Sequence, residues 1–372
     1  MAEVDLRCDQ IYGMHTAVAG QENRYDVYVT NTGATALDNF LVEVLDGDNE
    51  VVGTVNVKNY NLDVEATVIV PVECQLKKAV ESTQLTGRVV VDGDEVADNN
   101  TAVIADVEVL PGETYTMVQT GDLRDNRVAG YVPFNLNDMY SASQMLYTQD
   151  MLGFGAGKIE RIGMYYVVSR LEYAKDIDLK IYLTNTEETS LFSWIPENEF
   201  TQVFDGKFSL DEHNNTLVIE FDKPFEYTGK GLGITFVAEG GNSNYYYNWF
   251  FSSLKSNTVA SLSYSGDEAF DFTQVGVDSE SYTDLAFFVN NAGAGSVAAA
   301  EKAALDAYLA GDQLYISGEY DRLTVYGIDG TKLYVSEEPQ TTVDMSEYAD
   351  GAYIVVLDNG GSQTVKKVML NR

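Results

Sequence analysis

The sequence predicts an all-β protein made of three consecutive β-sandwich domains, and three observations carry that expectation. Short apolar runs alternate with period two along much of the chain, as in Tyr25-Asp26-Val27-Tyr28-Val29 and Leu323-Thr324-Val325. Turns rich in residues that tolerate positive φ, such as Asp92-Gly93 and Asp329-Gly330, separate those runs. Helical spacing is scarce: a short turn at Ser141 to Tyr147 and an alanine-rich stretch at Ser296 to Ala310 are the candidates. The 372 residues leave room for about two or three domains with real cores.

The first expected domain spans residues 1–110. Phe40 to Leu45 meets Val51 to Val57 across Asp46-Gly47-Asp48-Asn49, and Arg88 to Val91 meets Glu95-Val96 across Asp92-Gly93-Asp94. This is the hairpin rhythm of an Ig-like sandwich. The stretch YDVYVTNTGATALDNFLVEVLDGDNEVVG, followed by VADNNTAV, resembles the CARDB module of bacterial surface proteins, with Asn31-Thr32-Gly33 and Asp98-Asn99-Asn100-Thr101 as the matching positions. That resemblance implies an Ig fold serving as a spacer or a protein-binding stalk. Leu110-Pro111-Gly112 ends the segment, because proline and glycine together stop a strand.

Residues 113–290 turn aromatic-rich, with clear strands at Tyr165 to Val168, Leu217 to Phe221, Leu232 to Val237 and Leu285 to Val289. One larger antiparallel sandwich of jelly-roll type is expected. Phrases such as GKIERIGMYY, DLKIYLTNTEETSLFSWIP and NNTLVIEFDKPFEYTGKGLGITFV resemble an uncharacterised module of secreted proteins from bacteria with type IX secretion. The likeness supplies no ligand.

Residues 291–304 form a linker, and 305–372 the last domain, a small Ig-like sandwich of about seven strands. Leu305 to Leu309 fits a strand as well as a helix, and strand is favoured. Three groups of residues, Asp329-Gly330-Thr331-Lys332, Gly351-Ala352-Tyr353-Ile354 and Lys366-Lys367, resemble the C-terminal sorting domain of type IX secretion cargo. The resemblance implies partnership with the type IX machinery, passage through the periplasm, and a secreted or outer-surface location. Its positions Asp329, Gly330, Lys332, Gly351, Tyr353, Lys366 and Lys367 carry that likeness.

Net charge is −35, from 58 acidic and 23 basic residues, so phosphate backbones and anionic lipid are repelled and no nucleic-acid partner is expected. No run of eighteen apolar residues occurs, so no membrane insertion by a helix is expected. The start MAEVDLRC lacks a signal-peptide pattern, which type IX cargo requires; this suggests a trimmed chain or the C-terminal part of something longer. Cys8 and Cys74 are the two cysteines. A bridge between them would be worth about 4 kcal/mol, and two buried thiols are the alternative.

Catalytic chemistry finds little to stand on. His15 and His213 are the two histidines, and neither sits beside an evident nucleophile and orienting acid. Gly153 to Lys158 lacks the spacing of a phosphate loop and precedes a strand. The acidic turns at Asp46 and Asp92 lack glycine at the sixth position of a calcium loop, since Val51 and Ala97 stand there. No cofactor or metal site is expected, although so acidic a surface admits an adventitious calcium ion. Asp176 with Asp178 and Glu187 with Glu188 are the carboxylate pairs that hydrolysis would need, without an evident cleft.

Tyr245-Tyr246-Tyr247-Asn248-Trp249-Phe250-Phe251 is the most unusual stretch. On a strand, one of its two faces must enter a core, and the other could form a platform for a sugar ring or a protein. Candidate ligand contacts are therefore Trp194, Tyr245, Tyr246, Tyr247 and Trp249. The expected function is adhesion to, or binding of, an extracellular glycan or protein, without catalysis. The alternative is the accessory C-terminal region of a larger secreted hydrolase, a peptidase or glycosidase.

Overall fold

The computed structural model describes residues 2–121, 132–168, 173–211, 215–245, 248–254, 258–291, 306–310, 313–317, 320, 322–327, 331–336, 340, 342–346, 348–349, 351–359 and 362–370. Two compact units result, Met1–Ser296 and Val297–Arg372.

The first expected domain lies within the first unit as two facing sheets. One orders Leu6–Gly13, Glu22–Asn31 and Thr67–Gln75; the other orders Thr16–Val18, Thr101–Leu110, Val80–Val90, Phe40–Leu45 and Val51–Val57. Alternation decides which side chains go inward. On Thr67–Gln75, Val70, Val72 and Cys74 are buried while Ile69, Pro71 and Glu73 face out. Pro71 is tolerated because this strand ends its sheet and need not donate on that side. Tyr25, Val27, Val42, Val72 and Leu85 fill the space between the sheets.

The polar motifs of this domain fasten turns. Asn31 is fully buried; its Nδ2 donates to the carbonyls of Thr35 and Leu62 at 2.9 Å each, and its Oδ1 accepts from Gly33 N at 3.1 Å. Asp46 Oδ1 accepts from Asp48 N at 3.0 Å and Glu50 N at 2.9 Å, while Asn49 takes φ 62°. Those carboxylate positions are occupied by backbone donors, as hairpin turns require.

Cys8 and Cys74 are both buried and free, so the bridge that the sequence admitted is absent. Register gives the reason. Cys8 lies opposite Val29 and Val29 opposite Val68, so Cys74 stands six residues further along that strand. The offset is about 20 Å, against the roughly 4–7 Å between Cα atoms that a disulfide spans. Burial pushes both thiols up to about 12.

The second part of this unit is a sandwich of a six-stranded and a five-stranded sheet. The six-stranded sheet orders Thr201–Phe208, Ile177–Thr186, Gly231–Glu239, Tyr140–Tyr147, Ser261–Gly266 and Val277–Ser279. The five-stranded sheet is built around Gly157–Val168, which pairs with Thr216–Tyr227, Ala286–Asn290 and Asn248–Phe250. Met145, Ile162, Ile181, Phe236 and Phe287 belong to the core between them. The turn expected at Ser141 to Tyr147 is instead a strand. Every residue from Ser141 to Tyr147 is buried, because both faces of this strand are covered, and the period-two signal is lost. The short helix Gln149–Leu152 follows, closed by Gly153 at φ 66°, so the glycine-rich stretch is a helix cap and turn.

The outer face of the five-stranded sheet packs on the first domain. Tyr165, Phe251, Ala286 and Phe288 from the sandwich meet Met14, Val18 and Leu110. Arg161 donates to Glu108 across the same joint and pairs with Glu220 at 3.3 Å. The two sandwiches therefore share an apolar seam inside one compact unit.

The second unit has its own core of Leu314, Leu323, Val325, Met345, Val355, Leu357 and Leu370. A three-stranded sheet orders Asp306–Ala310, Gln313–Ser317 and Thr342–Asp344. A four-stranded sheet orders Lys332–Ser336, Arg322–Gly327, Gly351–Asn359 and Ser362–Leu370. The stretch that fitted helix or strand is a strand, antiparallel to Gln313–Ser317.

Candidate functional site

The six-stranded sheet has an outer face turned away from its core, on which Gln144, Leu146, Tyr182, Thr184, Leu262 and Tyr264 stand. Two connecting segments, residues 187–200 and 267–276, fold over it. Leu191, Trp194 and Ile195 from the first segment and Phe270 and Phe272 from the second pack there with Leu146 and Leu262. The result is a small second core outside the sandwich.

Three devices hold these segments down. Gln144 is fully buried; its Oε1 accepts from Ile195 N at 2.7 Å, and its Nε2 donates to Ile195 O at 3.2 Å and Thr235 Oγ1 at 3.1 Å. Trp194 is 9% exposed, and its Nε1 donates to Gln274 O at 2.9 Å, tying one segment to the other. Gly276 lies so close that a Cβ there would sit 3.0 Å from the Trp194 ring. Tilted aromatic pairs complete the contact, with Trp194 4.8 Å from Phe270 and Phe270 5.1 Å from Phe272 between centroids.

The second segment alternates as a strand would. Phe270, Phe272 and Gln274 turn inward, while Asp271, Thr273 and Val275 face out. Asp271 accepts from Thr273 N at 2.8 Å and from Thr273 Oγ1 at 2.5 Å, and those hydrogen bonds hold its carboxyl below the usual range.

The clamped segments carry exposed apolar groups. Phe192 and Val275 are each 90% exposed. Beside Phe192 a cleft of about 350 Å³ opens between the end of Ile177–Thr186 and the first segment. Thr186, Glu188, Ser190, Ser193 and Glu199 contribute its polar wall, with Phe192 and Trp194 as aromatic neighbours.

The structure does not gather the aromatic candidates into one platform. Trp194 is a buried anchor on the six-stranded side. Trp249, 39% exposed, belongs to Asn248–Phe250, which pairs with Gly157–Val168 of the other sheet. Tyr245 is half-buried against the central core, and Tyr246 and Tyr247 lie outside the described residues. Phe250 enters the central core while Phe251 enters the seam with the first domain, so the run serves two cores at once.

One member of each carboxylate pair is engaged by a lysine. Asp178 faces Lys207 at 2.7 Å, and Glu187 pairs with Lys230, which lowers the pKa of its carboxyl. Among the described residues no group of three or more His, Cys, Asp and Glu side chains is placed to hold a metal ion. His213 lies outside the described residues. His15 sits near the joint with the carboxylates of Asp106 and Asp211 around it, and burial holds its pKa below the ordinary imidazole value.

In the second unit, Tyr353 points inward and donates its hydroxyl to Ala349 O. Gly351 opens its strand, and Lys366 and Lys367 lie opposite Val355 and Ile354 on the neighbouring one. Lys332 Nζ sits 5.9 Å from the Tyr326 ring centre. Asp329 and Gly330 lie outside the described residues.

Phe192, Val275, Phe270, Phe272 and Gln144 are the site residues that sequence reasoning missed. The inward alternation of Phe270 and Phe272 was present as a signal, hidden among acidic turn residues.

Residues 310–371 match the family described as the secretion system C-terminal sorting domain. The tail is thus a type IX sorting domain, and the chain is exported to the cell surface or secreted. No curated protein matches the chain. Among solved structures, a CARDB domain from Pyrococcus furiosus, determined in complex with di-metal ions, is 19% identical over 29% of this chain and 89% of that chain, with TM-score 0.24. Native α2-macroglobulin from E. coli is 11% identical over 99% of this chain and 22% of that chain, with TM-score 0.19. The BSP domain of a biofilm-associated protein is 8% identical over 99% of this chain and 81% of that chain, with TM-score 0.16.

Proposed function

We propose that the chain is a non-catalytic extracellular binding protein, contacting a glycan or protein through the two segments clamped on the six-stranded sheet. The observation that carries this reading is Phe192, 90% exposed on a segment pinned from beneath by Gln144 and Trp194. An apolar ring held rigidly in water loses little entropy when a partner covers it. The sorting tail supports the reading, because it delivers that surface to the medium where such a partner would be met.

The test is a glycan array and an extracellular-matrix panel probed with the full chain. Phe192→Ala is expected to lose binding with an unchanged melting temperature. Trp194→Ala is expected to lower the melting temperature, since it removes an anchor, and Trp249→Ala to leave binding intact. Full binding by Phe192→Ala would refute the assignment of the face.

A further inference from the structure

We propose that the cleft beside Phe192 is a subsite for a neutral saccharide, a reading that rests on the binding function above and names its ligand. At about 350 Å³ the cleft falls at the small end of ligand sites. It suits a ligand of about one or two sugar rings. The chemistry of its wall selects among such ligands. Thr186 Oγ1 accepts from Glu188 N at 3.1 Å, and Ser190 Oγ accepts from Val259 N at 3.2 Å. Each of these hydroxyls is fixed by the bond it accepts and donates to no group among the described residues, so its hydrogen is free for a ligand there. Glu188 and Glu199 form no ion pair among the described residues and offer acceptor oxygens only.

A sugar hydroxyl donates and accepts at once, so it matches both kinds of wall group. An ammonium group brings donors alone and would leave the hydroxyl hydrogens of Thr186 and Ser190 unmatched. Phe192 supplies a face for the apolar side of a pyranose ring. Two uncompensated carboxylates in a chain of net charge −35 repel uronates and sulfated sugars. The selected class is therefore neutral and polyhydroxylated.

Isothermal titration of the full chain tests this with three classes of probe: neutral glucosyl, galactosyl, mannosyl and N-acetylhexosaminyl disaccharides; the corresponding uronates; and spermidine. A neutral disaccharide is expected to bind, at least about tenfold more weakly to Phe192→Ala and to Glu199→Gln, while uronates give no heat. Spermidine binding in place of the neutral sugars would overturn the proposal, as would saccharide binding that ignores both substitutions. If no neutral disaccharide binds while a matrix protein is still held through Phe192, the saccharide assignment falls and the wider binding reading survives. If neither binds, both fall.

Discussion

The side-chain amide of Gln144 grips the backbone of Ile195 from both sides, accepting from its N–H at 2.7 Å and donating to its carbonyl at 3.2 Å. A strand in the middle of a sheet thereby fixes a segment that has no sheet of its own.

Gln144→Leu keeps the volume and removes the grip, leaving a backbone N–H and a carbonyl unmatched against the sheet. The expected cost is about 2–4 kcal/mol. Hydrogen exchange at the Ile195 amide should rise well above that of residues in Gly231–Glu239. Unchanged protection at Ile195 would count against the clamp.

The seam between the two sandwiches of the first unit makes a second expectation. Phe288 is fully buried there with Met14, Val18 and Leu110. Phe288→Ala is expected to cost about 3–5 kcal/mol and to separate the melting of the two sandwiches in calorimetry. A single transition at the original temperature would contradict a shared seam.

Both thiols are buried and pushed up to about 12, so the native chain is expected to resist an aromatic disulfide reagent. In denaturant Cys8 and Cys74 should both react, showing that neither is bridged. Failure to react after unfolding would restore the disulfide.

His15 contributes a pH dependence of its own. Burial is the largest influence on it and lowers its pKa, outweighing the opposing pull of Asp106 and Asp211, and its Nε2 has no partner among the described residues. The unfolded chain therefore binds a proton first as acid is added. Stability is expected to be flat above about pH 7.5 and to fall below the ordinary imidazole value near 6.5. Urea midpoints at about pH 8 and pH 5.5 should differ less in His15→Gln than in the wild type. An equal drop in both proteins would remove His15 from the explanation.

Much of this architecture was legible in the sequence because most strands have one wet face. Thr67–Gln75 shows its alternation residue by residue, and the turns at Asp46 and Asp92 announce themselves by their glycines. Tyr140–Tyr147 was not legible, since sheet core lies on one side and the clamped segments on the other. The two cysteines misled because spacing along a chain does not reveal offset along a strand. The tryptophans misled for a similar reason: what a segment packs against is a long-range fact, and Trp194 lies on a segment covering the six-stranded sheet while Trp249 belongs to a strand of the other sheet. Phe192 was passed over because a single exposed ring in a turn has no period to betray it.

Export is where the whole account is most exposed to test. The first unit has its own cores, so a chain ending before Asp312 is expected to fold. Fractionation of the type IX host producing the full and the shortened chain, each behind an added signal peptide, is the measurement. Folded protein retained in the periplasm is the expected result, and shortened protein at the cell surface or in the medium at the level of the full chain would contradict it.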